Sequence, residues 1–185
     1  MKIQIADLEF EKMIVYESIE KRAMQIGEQL TEEYRGRLPV FIGVLNGSFM
    51  FIAELLKNVT IQCEVAFMKL SSYHGGLETS RTITDEFDLN VDITDRDVIL
   101  VEDIVDTGNT LRYLIDKLKS RNPASITTCS LLYKPQAMEH VIPELKYIGF
   151  EIENKFVVGF GLDYQDLGRN LKDVYQLVIG LQPEA

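Results

Sequence analysis

The sequence predicts an α/β fold with a mostly parallel central sheet flanked by helices, and three observations carry that prediction. Val40 to Leu45, Val98 to Val101 and Ala124 to Tyr133 are short β-branched and aliphatic runs of the kind buried on both faces of a parallel sheet. Tyr16 to Tyr34, Phe49 to Leu56 and Leu111 to Leu118 carry apolar residues at helical spacing. Small polar turns join the two kinds of segment, so strand, turn and helix alternate through the middle of the chain as a parallel sheet requires.

Taken in order, Ile19, Ala23, Ile26 and Leu30 form one face of an amphipathic helix that Gly36 closes. Pro39 opens the strand Val40 to Leu45, Asn46-Gly47-Ser48 makes the turn, and the helix from Phe49 follows. Ile61 to Leu70 alternates and runs into a polar, glycine-containing loop, Ser71 to Ser80, while Arg81 to Asn90 reads as the returning strand of a hairpin. Asp85, Glu86, Asp88 and Asp92 make an acidic run that reads as a solvated face. Pro135 stops the strand that ends at Tyr133. Gln136 to Lys146 is irregular, and its His140, beside Pro143, reads as a surface histidine, as does His74 in the earlier loop. Phe156 to Phe160 and Val174 to Ile179 are read as the last strands.

Composition bounds the function. A chain of 185 residues that is 46% apolar suits one domain with a sizeable core. A formal charge of −10 argues against a nucleic-acid surface, which needs clustered Lys and Arg. Cys63 and Cys129 lie in apolar runs with no CxxC spacing, so both are expected to be buried thiols. With no leader-like start and no apolar run near membrane-spanning length, a reduced cytoplasmic protein is the expectation.

The densest chemistry lies in Val98 to Leu111. Glu102 and Asp103 are expected at the carboxyl end of a strand, where open α/β sheets bind ligands and where paired carboxylates can hold hydroxyls or hydrated Mg²⁺. Asp106, Thr107, Gly108, Asn109 and Thr110 form the turn, with free amides, hydroxyls and the positive end of a helix suited to phosphate. No lysine follows the glycine, which excludes a Walker loop and favours a monophosphate. Gly108 stands alone, so the dinucleotide fingerprint is missing too.

This stretch resembles the loop of the type I phosphoribosyltransferases that binds 5-phosphoribosyl-1-pyrophosphate. Other segments make the chain similar to the hypoxanthine-guanine members of that family over nearly its whole length. The resemblance implies a 5-phosphate seat at Thr107, Gly108, Asn109 and Thr110, with Glu102 and Asp103 on the ribose hydroxyls and Mg²⁺. Asp106 becomes the general acid/base candidate for purine N7. Leu45, Asn46, Gly47 and Ser48 match a turn that binds pyrophosphate through amides, often with a non-proline cis peptide, and Arg169 matches a pyrophosphate contact. Ser72 and Tyr73 match a pair in a loop that folds over the site; read alone, the same segment is a connection.

Lys134 corresponds to a lysine that recognises the purine's exocyclic oxygen, although a terminal lysine by itself is usually solvated. Phe156 would stack on the purine and Val157 read its edge, where Phe156 by itself reads as core. Leu162 would line the base pocket and Asp163 help to hold a second Mg²⁺. Two departures stand out: Asn46 where relatives have Lys or Arg, and Arg169-Asn170 where they commonly have Arg-Asp.

The resemblance also implies a single domain whose core spans roughly 14–133 and 156–163. A small hood over the C-terminal strand ends would come from the N-terminal tail and roughly 134–185. It implies hypoxanthine, guanine and 5-phosphoribosyl-1-pyrophosphate as substrates, Mg²⁺ as cofactor, a homodimer or homotetramer, and neither nucleic-acid nor membrane partners. Two rivals remain at this point: a non-catalytic sensor of the same phosphoribosyl compound that binds nucleic acid, and an unrelated α/β nucleotide-binding or structural domain.

Overall fold

The computed structural model describes residues 1–72, 83–85 and 89–178. Among them the main sheet has six strands, ordered β5(Ile83–Asp85), β4(Glu64–Ser72), β3(Val40–Leu45), β6(Asp97–Val105), β7(Ser125–Tyr133) and β8(Leu145–Glu151). β4 through β8 in that spatial order run parallel, and β5 pairs antiparallel at the edge. Three helices accompany them: α1(Tyr16–Glu33), α2(Phe49–Leu56) and α3(Asn109–Lys119).

Side-chain alternation explains why the central strands are apolar throughout. Ile99, Val101, Cys129 and Leu131 point to one face, where Ile19, Ile26 and Leu30 of α1 and Phe51 and Leu55 of α2 cover them. Val40, Ile42, Val98 and Leu100 point to the other face, under Leu111, Leu114, Ile115 and Leu118 of α3. From β3 the chain turns outward to β4, and from β6 it turns the opposite way to β7. The order therefore reverses between β3 and β6, which opens a crevice at their carboxyl ends.

A second sheet of four strands, ordered β1(Lys2–Ile5), β2(Leu8–Ile14), β10(Val174–Leu177) and β9(Val157–Val158), forms the hood. Its own small core is Ile5, Leu8, Phe10, Val158 and Tyr175. Asp173 ties hood to helix: its Oδ1 accepts the Tyr16 amide at 2.8 Å, at the start of α1, while its other oxygen pairs with Lys12.

Several expectations change. Leu145–Glu151 is not hood; as β8 it extends the main sheet, and α1 stabilises it where Arg22 donates to the Ile148 and Gly149 carbonyls. Phe156 to Phe160 does not run as one strand and does not join the main sheet: only Val157 and Val158 pair, with β10, because Gly159 and Phe160 take positive φ and turn the chain. β4 begins at Glu64, so Cys63 precedes it and is only partly buried, whereas Cys129 is fully enclosed. β6 continues through Glu102 and Asp103 to Val105, four residues beyond the apolar run.

Candidate active site

The crevice between β3 and β6 is a cleft of about 390 Å³. Its walls are Val44, Leu45 and Gly47 on one side and the segment from Glu102 to Gly108, with Thr110 and Leu111, on the other. The structure thereby places Glu102, Asp103, Asp106, Thr107, Gly108 and Thr110 of the phosphoribosyl candidates and Leu45 and Gly47 of the pyrophosphate candidates around one space, while Asn46, Ser48, Asn109 and Arg169 are not on its walls. Leu45–Asn46 is a cis peptide.

Glu102 is buried, and burial followed by the charge of Asp103 raises its carboxyl well above the usual range. Asp103 is half-buried; burial pushes it up to about 6, against the pull of the Ile104 and Asp103 amides and Arg169. The site therefore concentrates two reluctant acids. With an ordinary value of 3.8 and a folded value near 6, Asp103 costs nothing below about pH 4, costs progressively more up to pH 6, and costs a constant amount above it. Asp103→Asn is expected to stabilise the metal-free protein by about 1–3 kcal/mol at pH 7, the water reaching this half-open group reducing the upper figure. That gain should vanish near pH 4. Urea unfolding at the two pH values checks this; an equal gain at both contradicts it.

Gly47 is where the two walls touch. A Cβ there would overlap the Asp103 carboxylate, and a Cβ at Gly161 would overlap the Gly47 carbonyl, so the loops can meet only without side chains. Ser48 is enclosed, and its hydroxyl and amide both donate to the Val44 carbonyl, at 2.6 and 3.2 Å. Of this turn, Leu45 and Gly47 line the cleft.

At the other wall Gly108 takes φ +83°, which lets the chain reverse directly into α3. Asn109 and Thr110 open that helix, so the amides of its first turn have no intrahelical partners; the Asn109 amide donates instead to Thr107 Oγ1 at 3.3 Å. The Asn109 side chain points away, toward Glu139 and His140.

Lys134 is buried and not solvated: it follows β7, its amide donates to the Val105 carbonyl, and its Nζ lies 2.7 Å from Asp106 Oδ2. This ion pair joins the end of β7 to the turn that follows β6. Phe156 is 45% exposed rather than core, and Tyr164, at 5.9 Å, and Phe10, at 6.3 Å, support its ring from the hood. Val157 and Leu162 are buried beside it in sequence. Arg169 donates to the Gly161 carbonyl at 2.9 Å and pairs with Asp163 at 2.7 Å, so hood contacts set its direction, and Asn170 is exposed.

The donor chemistry fits a hard cation. Among the described residues no group of three metal-ligating side chains forms, and two adjacent carboxylates at a substrate cleft match an ion completed by substrate oxygens and water. Asp163 does not join them in a three-residue cluster; its carboxylate is engaged by Arg169 and by the Asp166 amide. Tyr73 and His74 lie outside the described residues, and of Ser72 only the backbone, at the end of β4, is described.

Residues 14–165 match the model of the phosphoribosyl transferase domain. The chain belongs to the phosphoribosyltransferase family. A hypoxanthine-guanine phosphoribosyltransferase of Streptococcus pneumoniae is 44% identical over 159 residues, covering 86% of this chain and 88% of its own. A hypoxanthine phosphoribosyltransferase of Escherichia coli is 42% identical over 171 residues, covering 91% and 96%. A crystal structure of a hypoxanthine phosphoribosyltransferase from Staphylococcus aureus superposes with a TM-score of 0.84 at 39% identity, covering 91% of each chain. For a phosphoribosyltransferase, a divalent metal requirement is consistent with the carboxylates found here. No helix of the described residues is long and apolar enough to cross a membrane.

Sequence reasoning passed over Phe10, Tyr164, Asp173, Glu139 and Met138. Phe10 alternates with polar neighbours in Leu8 to Ile14, a strand signal that was present to be read. The others act through contacts with segments distant along the chain, which no local pattern encodes.

Proposed function

We propose that the cleft transfers the 5-phosphoribosyl group of 5-phosphoribosyl-1-pyrophosphate to N9 of hypoxanthine or guanine, giving IMP or GMP and pyrophosphate. The observation that carries the reading is the continuity of the cleft. Leu45 and Gly47, the Glu102–Asp103 pair, Asp106, and Thr107, Gly108 and Thr110 line one space, and Asp106 on that wall pairs with the buried Lys134.

In this reading the first-turn amides of α3, with Thr107 and Thr110, hold the 5-phosphate, and Glu102 and Asp103 hold the ribose hydroxyls. The Asn46 and Gly47 amides and Arg169 receive the leaving pyrophosphate; the guanidinium suits paired phosphate oxygens once it exchanges Asp163 for substrate. Glu102 and Asp103 would hold Mg²⁺, which when bound supplies neutralisation of pyrophosphate charge. A second-ion role for Asp163 requires the same release of Arg169. Phe156 stacks on the base, Val157 reads its edge, and Leu162 lines the pocket. Asp106 exchanges a proton with N7 as charge develops on the ring.

Lys134 faces the exocyclic oxygen. Adenine would offer this buried cation no acceptor beyond Asp106 and would place an amino donor against it. Lys134→Gln offers both a donor and an acceptor, so the preference for hypoxanthine over adenine, measured as a ratio of kcat/KM, is expected to fall by about 10²-fold. An unchanged ratio would remove Lys134 from base recognition.

The activity itself is tested by incubation with phosphoribosyl pyrophosphate, Mg²⁺ and each purine, following nucleotide formation. Failure with every 6-oxopurine overturns the proposal. We place the protein in the cytoplasm as a homodimer or homotetramer, the unpaired Cys63 and Cys129 supporting a reducing compartment; sedimentation of the purified chain measures the assembly.

A further inference from the structure

The connection between β7 and β8 lies against the outer side of the Thr107–Thr110 loop at several independent points. The Glu139 amide donates to the Thr107 carbonyl at 3.0 Å. Met138 and Ile142 pack where a Gly108 side chain would stand. The Asn109 side chain is held at both ends: its Nδ2 donates to Glu139 Oε2 at 2.9 Å, and its Oδ1 meets His140 Nε2 at 2.6 Å. The polarity is self-consistent, because a proton on His140 Nε2 leaves Nδ1 to accept from Arg112, 3.3 Å away.

We propose that Glu139 and His140 are positioning residues for the 5-phosphate seat, acting through Asn109. This rests on the reading of Thr107–Thr110 as that seat. Asparagine side chains compete for nearby backbone N–H groups, and Asn109 opens the helix whose first amides the phosphate needs. Anchored between Glu139 and His140, its side chain is drawn out of the loop, and the loop is braced in the conformation that Gly108 permits.

The carboxylate of Glu139 makes the proposal separable from simple electrostatics. A negative charge beside an anion seat weakens anion binding, so a residue acting through charge alone would, when removed, lower KM for phosphoribosyl pyrophosphate. A positioning residue would raise it. Both side chains lie at the surface, Glu139 exposed and His140 half-buried, so their replacement leaves the apolar core intact.

The experiment is steady-state kinetics with phosphoribosyl pyrophosphate, hypoxanthine and Mg²⁺. Glu139→Ala and His140→Ala are expected to raise KM for phosphoribosyl pyrophosphate by about 3–10-fold, the worth of about one hydrogen bond, with kcat and the purine KM within about twofold. Glu139→Gln, which keeps the acceptor and removes the charge, should return KM to within about twofold of the parent. Glu139→Ala combined with Asn109→Ala should be non-additive, since both act through one contact. A lowered or unchanged KM in Glu139→Ala, an equal rise in the purine KM, no rescue by glutamine, or full additivity would each overturn the proposal. Thr110→Val separates this from the seat itself. If Thr110→Val raises KM and Glu139→Ala does not, positioning alone fails; if Thr110→Val leaves KM unchanged, the seat assignment fails and positioning with it.

Discussion

Asp106→Asn is expected to lower kcat by about 10²–10⁴-fold with both hypoxanthine and guanine, the usual contribution of a positioned acid or base. Asparagine has nearly the same shape and keeps an oxygen for Lys134 Nζ, which lies 2.7 Å from the carboxylate. It loses the charge and the ability to exchange a proton. Asp106 is 47% exposed but Lys134 only 8%, so loss of the neutralising charge leaves a buried cation with an amide oxygen alone and costs the fold about 1–3 kcal/mol. The signature is therefore a large fall in kcat, a measurable fall in thermal stability, and little change in KM for phosphoribosyl pyrophosphate. Single-turnover measurement with each purine reads it directly. Unchanged turnover of both would remove Asp106 from proton transfer.

Gly47→Ala is expected to lower kcat/KM for phosphoribosyl pyrophosphate by about 10²-fold or more, the scale of a misplaced catalytic constellation. A Cβ at this position meets the Asp103 carboxylate head-on, and Gly161 approaches the Gly47 carbonyl so closely that a Cβ there would overlap it. The backbone is thus hemmed in from both loops, and the Asp103 side chain is the part able to give way. Its displacement removes from the cleft a carboxylate that the proposed function assigns to ribose and metal, whereas the overpacking cost to the fold is about 1–3 kcal/mol. Circular dichroism should show a folded protein with weakened Mg²⁺ dependence. Parent-like activity in the folded variant would show that Asp103 has no required place against Gly47.

How far the sequence reaches differs by scale. Helices α1 and α2 and strand β3 are legible in it to within a residue or so, because apolar periodicity and punctuation by Gly36, Pro39 and the Asn46–Ser48 turn are local signals. The turn from strand to helix between Glu102 and Thr110 is likewise legible, since Gly108 and the small polar residues beside it mark it locally. Strand β8 is not legible: Leu145–Glu151 is only partly buried at the sheet edge, with Arg22 of a distant helix satisfying two of its carbonyls, so its apolar pattern is weak. The burial of Lys134 is equally invisible, because the nearby residues in sequence say nothing of Asp106, which is 28 positions earlier.

By itself, then, the sequence determined the alternation of strand and helix and the chemical order of the central loop, both properties of neighbouring residues. Only the tertiary structure decided that Gly47 lies on Asp103, that Lys134 pairs with Asp106, that the hood supports Phe156, and that Glu139 and His140 hold Asn109. Each of these joins segments that the sheet order brings together, and the preference of one side chain for another across such a distance leaves no periodicity in either segment.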